Sequence, residues 1–143
     1  MNEITKFKGS YSFLSNFETC FVTYEGMKFR TVEHAFQAAK TLDMKERIVF
    51  QLIDFPAEAK QIGKQVKLRP DWEQVKLGIM EDLVRQKFNQ PKFKKLLLST
   101  NNNTIVEGNT HGDTFWGVCK NVGYNKLGKI IMKIRDEIKQ DCT

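Results

Sequence analysis

Thr31-Val32-Glu33-His34-Ala35-Phe36-Gln37-Ala38-Ala39-Lys40 is the stretch whose reading decides the fold. At about 100° per residue, Val32, Ala35, Phe36 and Ala39 fall on one face, which must meet a core. Thr31 is a suitable N-cap, so the spacing predicts a short helix from Val32 to about Leu42. Glu33, Gln37 and Lys40 lie at i, i+4 and i+7 and form a second stripe beside the apolar one, with His34 pointing elsewhere. A carboxylate, an amide and an amine on one line at a core margin can wall a pocket. The carboxylate can activate water or move a proton. The amine can contact a phosphate or, if burial lowers its pKa, attack a sugar C1. Glu33 sits in the first turn, where the helix dipole favours its ionised form and hence a base, unless desolvation outweighs the dipole. The same spacing also fits a solvated helical face with a spaced ion pair, and spacing alone leaves both readings open.

Outward from this helix the chain reads as β-rich before and helical after. Ile4 to Phe7 has the character of a strand, and Phe21 to Tyr24 with Met27 to Phe29 reads as a hairpin turned at Glu25-Gly26. Further helices are predicted from Lys45 to Ile53, from Pro56 to Gly63, from Pro70 to about Asn89 and from Pro91 to Leu98. In the fourth, Trp72, Val75, Ile79, Leu83 and Val84 share a face. Asn101-Asn102-Asn103 marks a turn, and Thr104 to Glu107 and Phe115 to Cys119 read as strands. Leu127, Ile130, Ile131, Ile134 and Ile138 mark a last amphipathic helix, capped by Asn125. The sum is an α+β fold, a mostly helical single domain over residues 1–143, packed around a small β-sheet.

Composition excludes several classes. The chain has 143 residues, 41% hydrophobic and 28% charged, as an ordinary globular domain does. Twenty-three Lys and Arg against seventeen Asp and Glu leave a net charge of +6, which favours anionic partners without choosing among them. No arginine-rich arm appears, so sequence-specific DNA reading is not expected. Cys20, Cys119 and Cys142 form no C-x-x-C pair, which argues against a disulfide framework or a structural zinc. His34 and His111 have no metal-ligand spacing with any cysteine, so neither a catalytic metal nor another cofactor is expected. No signal peptide or membrane-length apolar stretch is present, and the expected location is cytoplasmic, away from membranes.

The second half carries weaker signals. In Gly112-Asp113-Thr114-Phe115-Trp116-Gly117-Val118, an aromatic followed by glycine lets a flat ring approach the backbone and stack on the indole. Asp113 can then hold ribose hydroxyls or orient water. A buried Trp with a glycine turn and an Asp cap is the plainer reading. Gly123-Tyr124-Asn125-Lys126-Leu127-Gly128-Lys129 opens the last helix, where free N–H groups with two lysines can seat a phosphate, although an ordinary capped helix start is the plainer reading. It is neither a Walker loop nor a dinucleotide fingerprint. Trp72 packs a core or walls a base pocket, while Ser15 and Asn16 occupy a loop that can bind ribose or phosphate or simply turn.

Taken together, these stretches resemble the YbiA-like family, also called the NADAR superfamily. The matching positions are Phe13-Leu14-Ser15-Asn16-Phe17, Glu33 through Lys40, and Ala59-Lys60-Gln61-Ile62-Gly63. They continue with Arg69, Asp71-Trp72, Met80, Lys87-Phe88, Val106-Glu107, Asp113, Phe115-Trp116-Gly117 and Gly123 through Gly128. They fall in the family's order from about residue 7 to residue 138. The chain departs from the family pattern at His111-Gly112, just before Asp113.

The resemblance implies an α+β fold and N-glycosidase activity at a ribose C1–N bond. It implies a phosphorylated ribosyl substrate, either a phosphoribosylamino-pyrimidine intermediate of riboflavin synthesis or ADP-ribose attached to guanine, as in ADP-ribosylated nucleic acid. On the same basis Glu33 is the acid/base and Lys40 a catalytic amine acting through an open-chain Schiff base. Trp72 and Trp116 would frame the base. Ser15, Asn16, Phe17, Gln37, Asp113, Gly117 and Asn125 complete the substrate contacts. The rival expectation is a non-catalytic module that binds ADP-ribose or nucleotides through the same residues.

Overall fold

A computed structural model describes residues 2–141; Met1, Cys142 and Thr143 lie outside the described residues. The chain folds as two compact units. One is Asn16–Lys87, and the other joins the residues up to Ser15 with those from Phe88 onward.

The Asn16–Lys87 unit begins with the predicted hairpin. Strand β2 (Val22–Tyr24) pairs antiparallel with β3 (Met27–Phe29), Tyr24 opposite Met27. Between them Glu25 and Gly26 have φ of 48° and 83°, the left-handed pair that a two-residue hairpin turn demands. Helix α1 (Val32–Ala39) follows, capped by Thr31, whose side chain accepts from the His34 N–H. Helix α2 (Met44–Leu52) is capped by Asp43, and α3 (Pro56–Ile62) starts at its proline and ends on Gly63. Helix α4 (Trp72–Phe88) starts two residues after Pro70. Helix α1 stops at Ala39, short of the predicted Leu42, because the Lys40 and Thr41 N–H groups turn to the Gln37 and Ala38 carbonyls. Such tight i to i+3 bonds close a helix end.

Every residue of α1 is buried. The helix packs against β2, β3, α2 and α3, and Phe36 meets the Trp72 ring of α4 at 5.0 Å and 55°. Its alanines, Ala35, Ala38 and Ala39, are completely enclosed and let these neighbours come close. A helix enclosed on all sides must satisfy any polar side chain it carries within the protein. Glu33, His34 and Gln37 are under that constraint.

The other unit contains β1 (Glu3–Ile4), a 3-10 helix (Gly9–Leu14), α5 (Pro91–Leu98), β4 (Thr104–Ile105), β5 (Gly108–Asn109), β6 (Val118–Cys119) and α6 (Lys126–Asp141). β1 pairs parallel with β4, and β5 with β6. Helix α6 buries Leu127, Ile130, Ile131, Ile134 and Ile138 and packs on α5 and β4, as its periodicity predicts. The strands predicted from Ile4 to Phe7 and from Phe115 to Cys119 are each only two residues long. In the second case the Asp113 side chain takes the N–H groups of Phe115 and Trp116, which withdraws them from any ladder. The fold is α+β and mostly helical, and among the described residues the strands form three two-stranded ladders.

Candidate active site

Glu33 and Gln37 stand one turn apart on α1, and the Gln37 amide Nε2 donates to Glu33 Oε2 at 2.6 Å. They are 8% and 5% exposed, which removes the solvated-face reading of this stripe. The orientation of the amide is set by charge: a carboxylate accepts only, so the NH2 group must face it. Gln37 Oε1 therefore points the other way, towards Gly63, where an added Cβ would collide with Oε1 and Cδ of Gln37. That oxygen is buried and has no hydrogen-bond partner among the described residues. Gly63 has an ordinary helical φ of −59°, so glycine is needed there for space rather than for backbone freedom.

Lys40 is the C-cap residue of α1 and is half-buried. Desolvation pushes the pKa of its amine below the usual lysine value. The Glu33 charge opposes that shift, while Lys60 and Lys64 reinforce it. Glu33 and Lys40 thus share one electrostatic environment, with two further lysines in it. A neutral amine is the nucleophilic form, so the shift acts in the direction that amine attack needs.

Arg69 holds the end of this helix. Its backbone N–H donates to the Lys40 carbonyl at 2.7 Å, and Nη1 donates to the Ala39 carbonyl at 3.4 Å and the Tyr24 hydroxyl at 3.1 Å. Nε and Nη2 clasp the two oxygens of Asp71 at 2.7 and 3.2 Å. The clasp orients the guanidinium over the last turn, where carbonyls lack helical partners. Sequence reasoning matched Arg69 and Asp71 to a family pattern but gave them no role. The signal was there: an Arg-Pro-Asp order brings the two charges to one side of a fixed proline.

His34 does point away from the stripe. Its Nδ1 lies 2.8 Å from Thr31 Oγ1 and its Nε2 lies 3.0 Å from the Ile53 carbonyl oxygen. A carbonyl only accepts, so Nε2 carries the proton and Nδ1 accepts from the hydroxyl. Burial lowers the His34 pKa and keeps this neutral form. The residue ties α1 to the end of α2.

Three further predicted residues lie in the same unit. The Asn16 carbonyl accepts the Glu33 N–H at 3.1 Å, so this loop satisfies a first-turn donor of α1. The Asn16 side chain lies against Met80 Sδ at 3.5 Å. Phe17 is exposed. Trp72 is buried, with its ring against Phe36.

Ser15, Asp113, Trp116, Gly117 and Asn125 belong to the other unit. Ser15 closes the 3-10 helix through its N–H to the Ser12 carbonyl. Asp113 Oδ1 accepts from the Phe115 and Trp116 N–H groups at 3.1 and 2.9 Å. Asn109 braces it by accepting from the Asp113 N–H and donating to the Asp113 carbonyl. Trp116 is half-buried and stands edge-on to Phe115 at 4.8 Å. The space a side chain at Gly117 would fill is occupied by Glu107 and Asn109. Asn125, at φ 52°, donates through Nδ2 to the Ile105 carbonyl and accepts from the Glu107 N–H, both at 2.9 Å.

Four N–H groups at the start of α6 are already taken. Those of Tyr124, Asn125, Lys126 and Leu127 donate to the carbonyls of Thr114, Gly117, Phe115 and Trp116. The phosphate seat predicted there is corrected on that ground, since an anion needs open donors. Composition alone could not show that the 114–117 segment would supply the acceptors. Among the described residues no cluster of His, Cys, Asp or Glu is arranged for a metal ion, and no helix is long and apolar enough to cross a membrane.

Residues 4–139 match the NADAR domain. An N-glycosidase of Nostoc punctiforme is 36% identical over 136 residues, covering 90% of this chain and 86% of that protein. The NMR structure of Escherichia coli YbiA, a protein named as an N-glycosidase, superposes with a TM-score of 0.85 at 32% identity, covering 99% of this chain and 89% of that one. A riboflavin biosynthesis protein of Vibrio vulnificus is 30% identical over 136 residues, covering 92% of this chain and 36% of that longer protein. These relatives define the class as an enzyme, a hydrolase acting on N-glycosyl compounds. The chain belongs to the NADAR-domain family of N-glycosidases.

Proposed function

We propose that residues 1–143 act as one NADAR domain that hydrolyses the ribose C1–N bond of a phosphorylated ribosyl substrate. The observation that carries this reading is the buried Glu33–Gln37 contact of 2.6 Å on the helix that ends in Lys40. In this mechanism the neutral Lys40 amine attacks C1 and the bond from C1 to the leaving nitrogen breaks. The proton lost by the amine passes through Glu33 to that nitrogen. The sugar opens on Lys40 as a Schiff base, and water activated by Glu33 then releases the ribose phosphate. Gln37 holds the carboxylate in line. Trp72 walls the base, and Asn16 and Phe17 contribute substrate contacts.

The favoured substrate is a phosphoribosylamino-pyrimidine of the riboflavin route, because a riboflavin biosynthesis protein shares 30% identity across 92% of this chain. The net charge of +6 supports a second substrate, ADP-ribose on the guanine of a nucleic acid. Incubation with each substrate, followed by chromatography of the released base, tests the reading. Release of base from either substrate is the expected result. Binding of ADP-ribose with no base released from any substrate would identify a reader module instead.

A further inference from the structure

Lys60 lies in the last turn of α3, and Lys64 follows the C-cap Gly63. The cap keeps helical angles, φ −59° and ψ −20°, so the two lysines stand one turn apart, about 5–6 Å between Cβ atoms. Neither pairs with a carboxylate among the described residues. Between them lies Gly63, whose missing side chain leaves room for Gln37 Oε1. Gln37 is more than nine-tenths buried, and this acceptor has no partner. The same lysines depress the pKa of Lys40, so their charges reach the proposed nucleophile.

Two lysines with no carboxylate partner of their own, acting on a desolvated amine, favour an anion as their counter-charge. We infer that Lys60 and Lys64 form a seat for the phosphate on O5′ of the ribosyl substrate, with Gln37 Oε1 accepting from a hydroxyl of the same sugar. A phosphomonoester carries nearly two negative charges at neutral pH, matching the two lysines. The carbonyl end of α3 opposes an anion, but its partial charge of about half a unit is smaller than two full cations. The inference rests on the N-glycosidase reading of α1 and adds to it the part of the substrate that fixes C1 against Lys40.

Titration of isotope-labelled protein with inorganic phosphate, ribose 5-phosphate, ADP-ribose and unphosphorylated ribose tests the seat through the amides of Gly63 and Lys64. The phosphorylated ligands should give saturable shifts there and ribose should not. Stronger displacement by ribose 5-phosphate assigns a monoester, and by ADP-ribose a diphosphate. In a Lys60→Gln, Lys64→Gln double variant the dissociation constant should rise about 10- to 100-fold, the scale of lost charge-assisted hydrogen bonds. The preference in kcat/KM for a phosphorylated over a dephosphorylated substrate should fall by the same factor. Lys64 is exposed, so Lys64→Gln alone keeps the test available if the double variant fails to fold. Unchanged phosphate affinity and unchanged preference overturn the seat while leaving turnover to speak for the enzyme. Lost phosphate binding in the variant, with no turnover by the parent, upholds the seat and rejects the N-glycosidase reading.

Discussion

The Gln37 side chain donates to Glu33 across one turn of α1 and turns its other oxygen to the bare Cα of Gly63. That arrangement fixes a buried carboxylate in one orientation, where the proposed mechanism moves a proton. Replacing Glu33 with Gln keeps the shape and removes the charge. Turnover should fall at least about a hundredfold. A variant with near-normal kcat would take Glu33 out of the mechanism.

Lys40 is tested by its pKa and by trapping. Burial lowers that pKa and the Glu33 charge partly restores it. Removing the negative charge in Glu33→Gln should therefore lower it further, a shift readable by NMR of the Lys40 side chain. Borohydride added during turnover should reduce the Schiff base to a stable adduct on Lys40, detected by mass spectrometry. An active Lys40→Arg variant together with no adduct would reject the amine nucleophile.

Gly63→Ala adds a methyl group where Gln37 Oε1 and Cδ already lie. Overpacking of this kind costs about 1–3 kcal/mol, and the amide should be pushed off Glu33 with a loss of turnover. Shortening the neighbour should relieve it. In a double-mutant cycle with Gln37→Ala, the Gly63→Ala cost in unfolding free energy should shrink by more than the additive expectation. Strict additivity would mean that the two side chains do not meet.

Lys87, on α4, is almost fully buried, and desolvation pushes its pKa down to about 8, against the upward pull of the Cys20 and Glu18 charges. Between that value and the ordinary 10.5, the folded chain binds fewer protons here than the unfolded chain. Stability therefore gains from Lys87 as pH rises through this window, and below about 8 the burial penalty is present in full. Burial raises the Cys20 thiol above 9.0, so Cys20 acts with the opposite sign at the alkaline end. Chemical denaturation at pH 7 and pH 9.5 should show Lys87→Met gaining more over the parent at the lower pH. An equal gain at both values would mean that burial does not lower the Lys87 pKa in the folded state.

Much of this was legible in the sequence. The hairpin turn at Glu25-Gly26, the caps at Thr31 and Asp43, the proline starts of α3 and α5 and the apolar stripe of α6 are local features. Each depends on residues within a few positions of one another, and a local rule reads them. The shortness of β6 was not legible, because Asp113 captures N–H groups of Phe115 and Trp116 that a ladder would otherwise use. Nor was the use of the α6 N–H groups, whose acceptors come from the 114–117 segment.

The Glu33, Gln37 and Lys40 stripe lies between these cases. Its spacing followed from the helical repeat, so the sequence alone put three functional groups on one line. Whether that line faced water or protein depended on what surrounds α1. Only the packing of β2, β3, α2, α3 and Trp72 around the helix decided it. Periodicity gives direction about one axis, whereas burial depends on segments far away in the chain. Burial is what holds the carboxylate against its amide and shifts the lysine towards its neutral form.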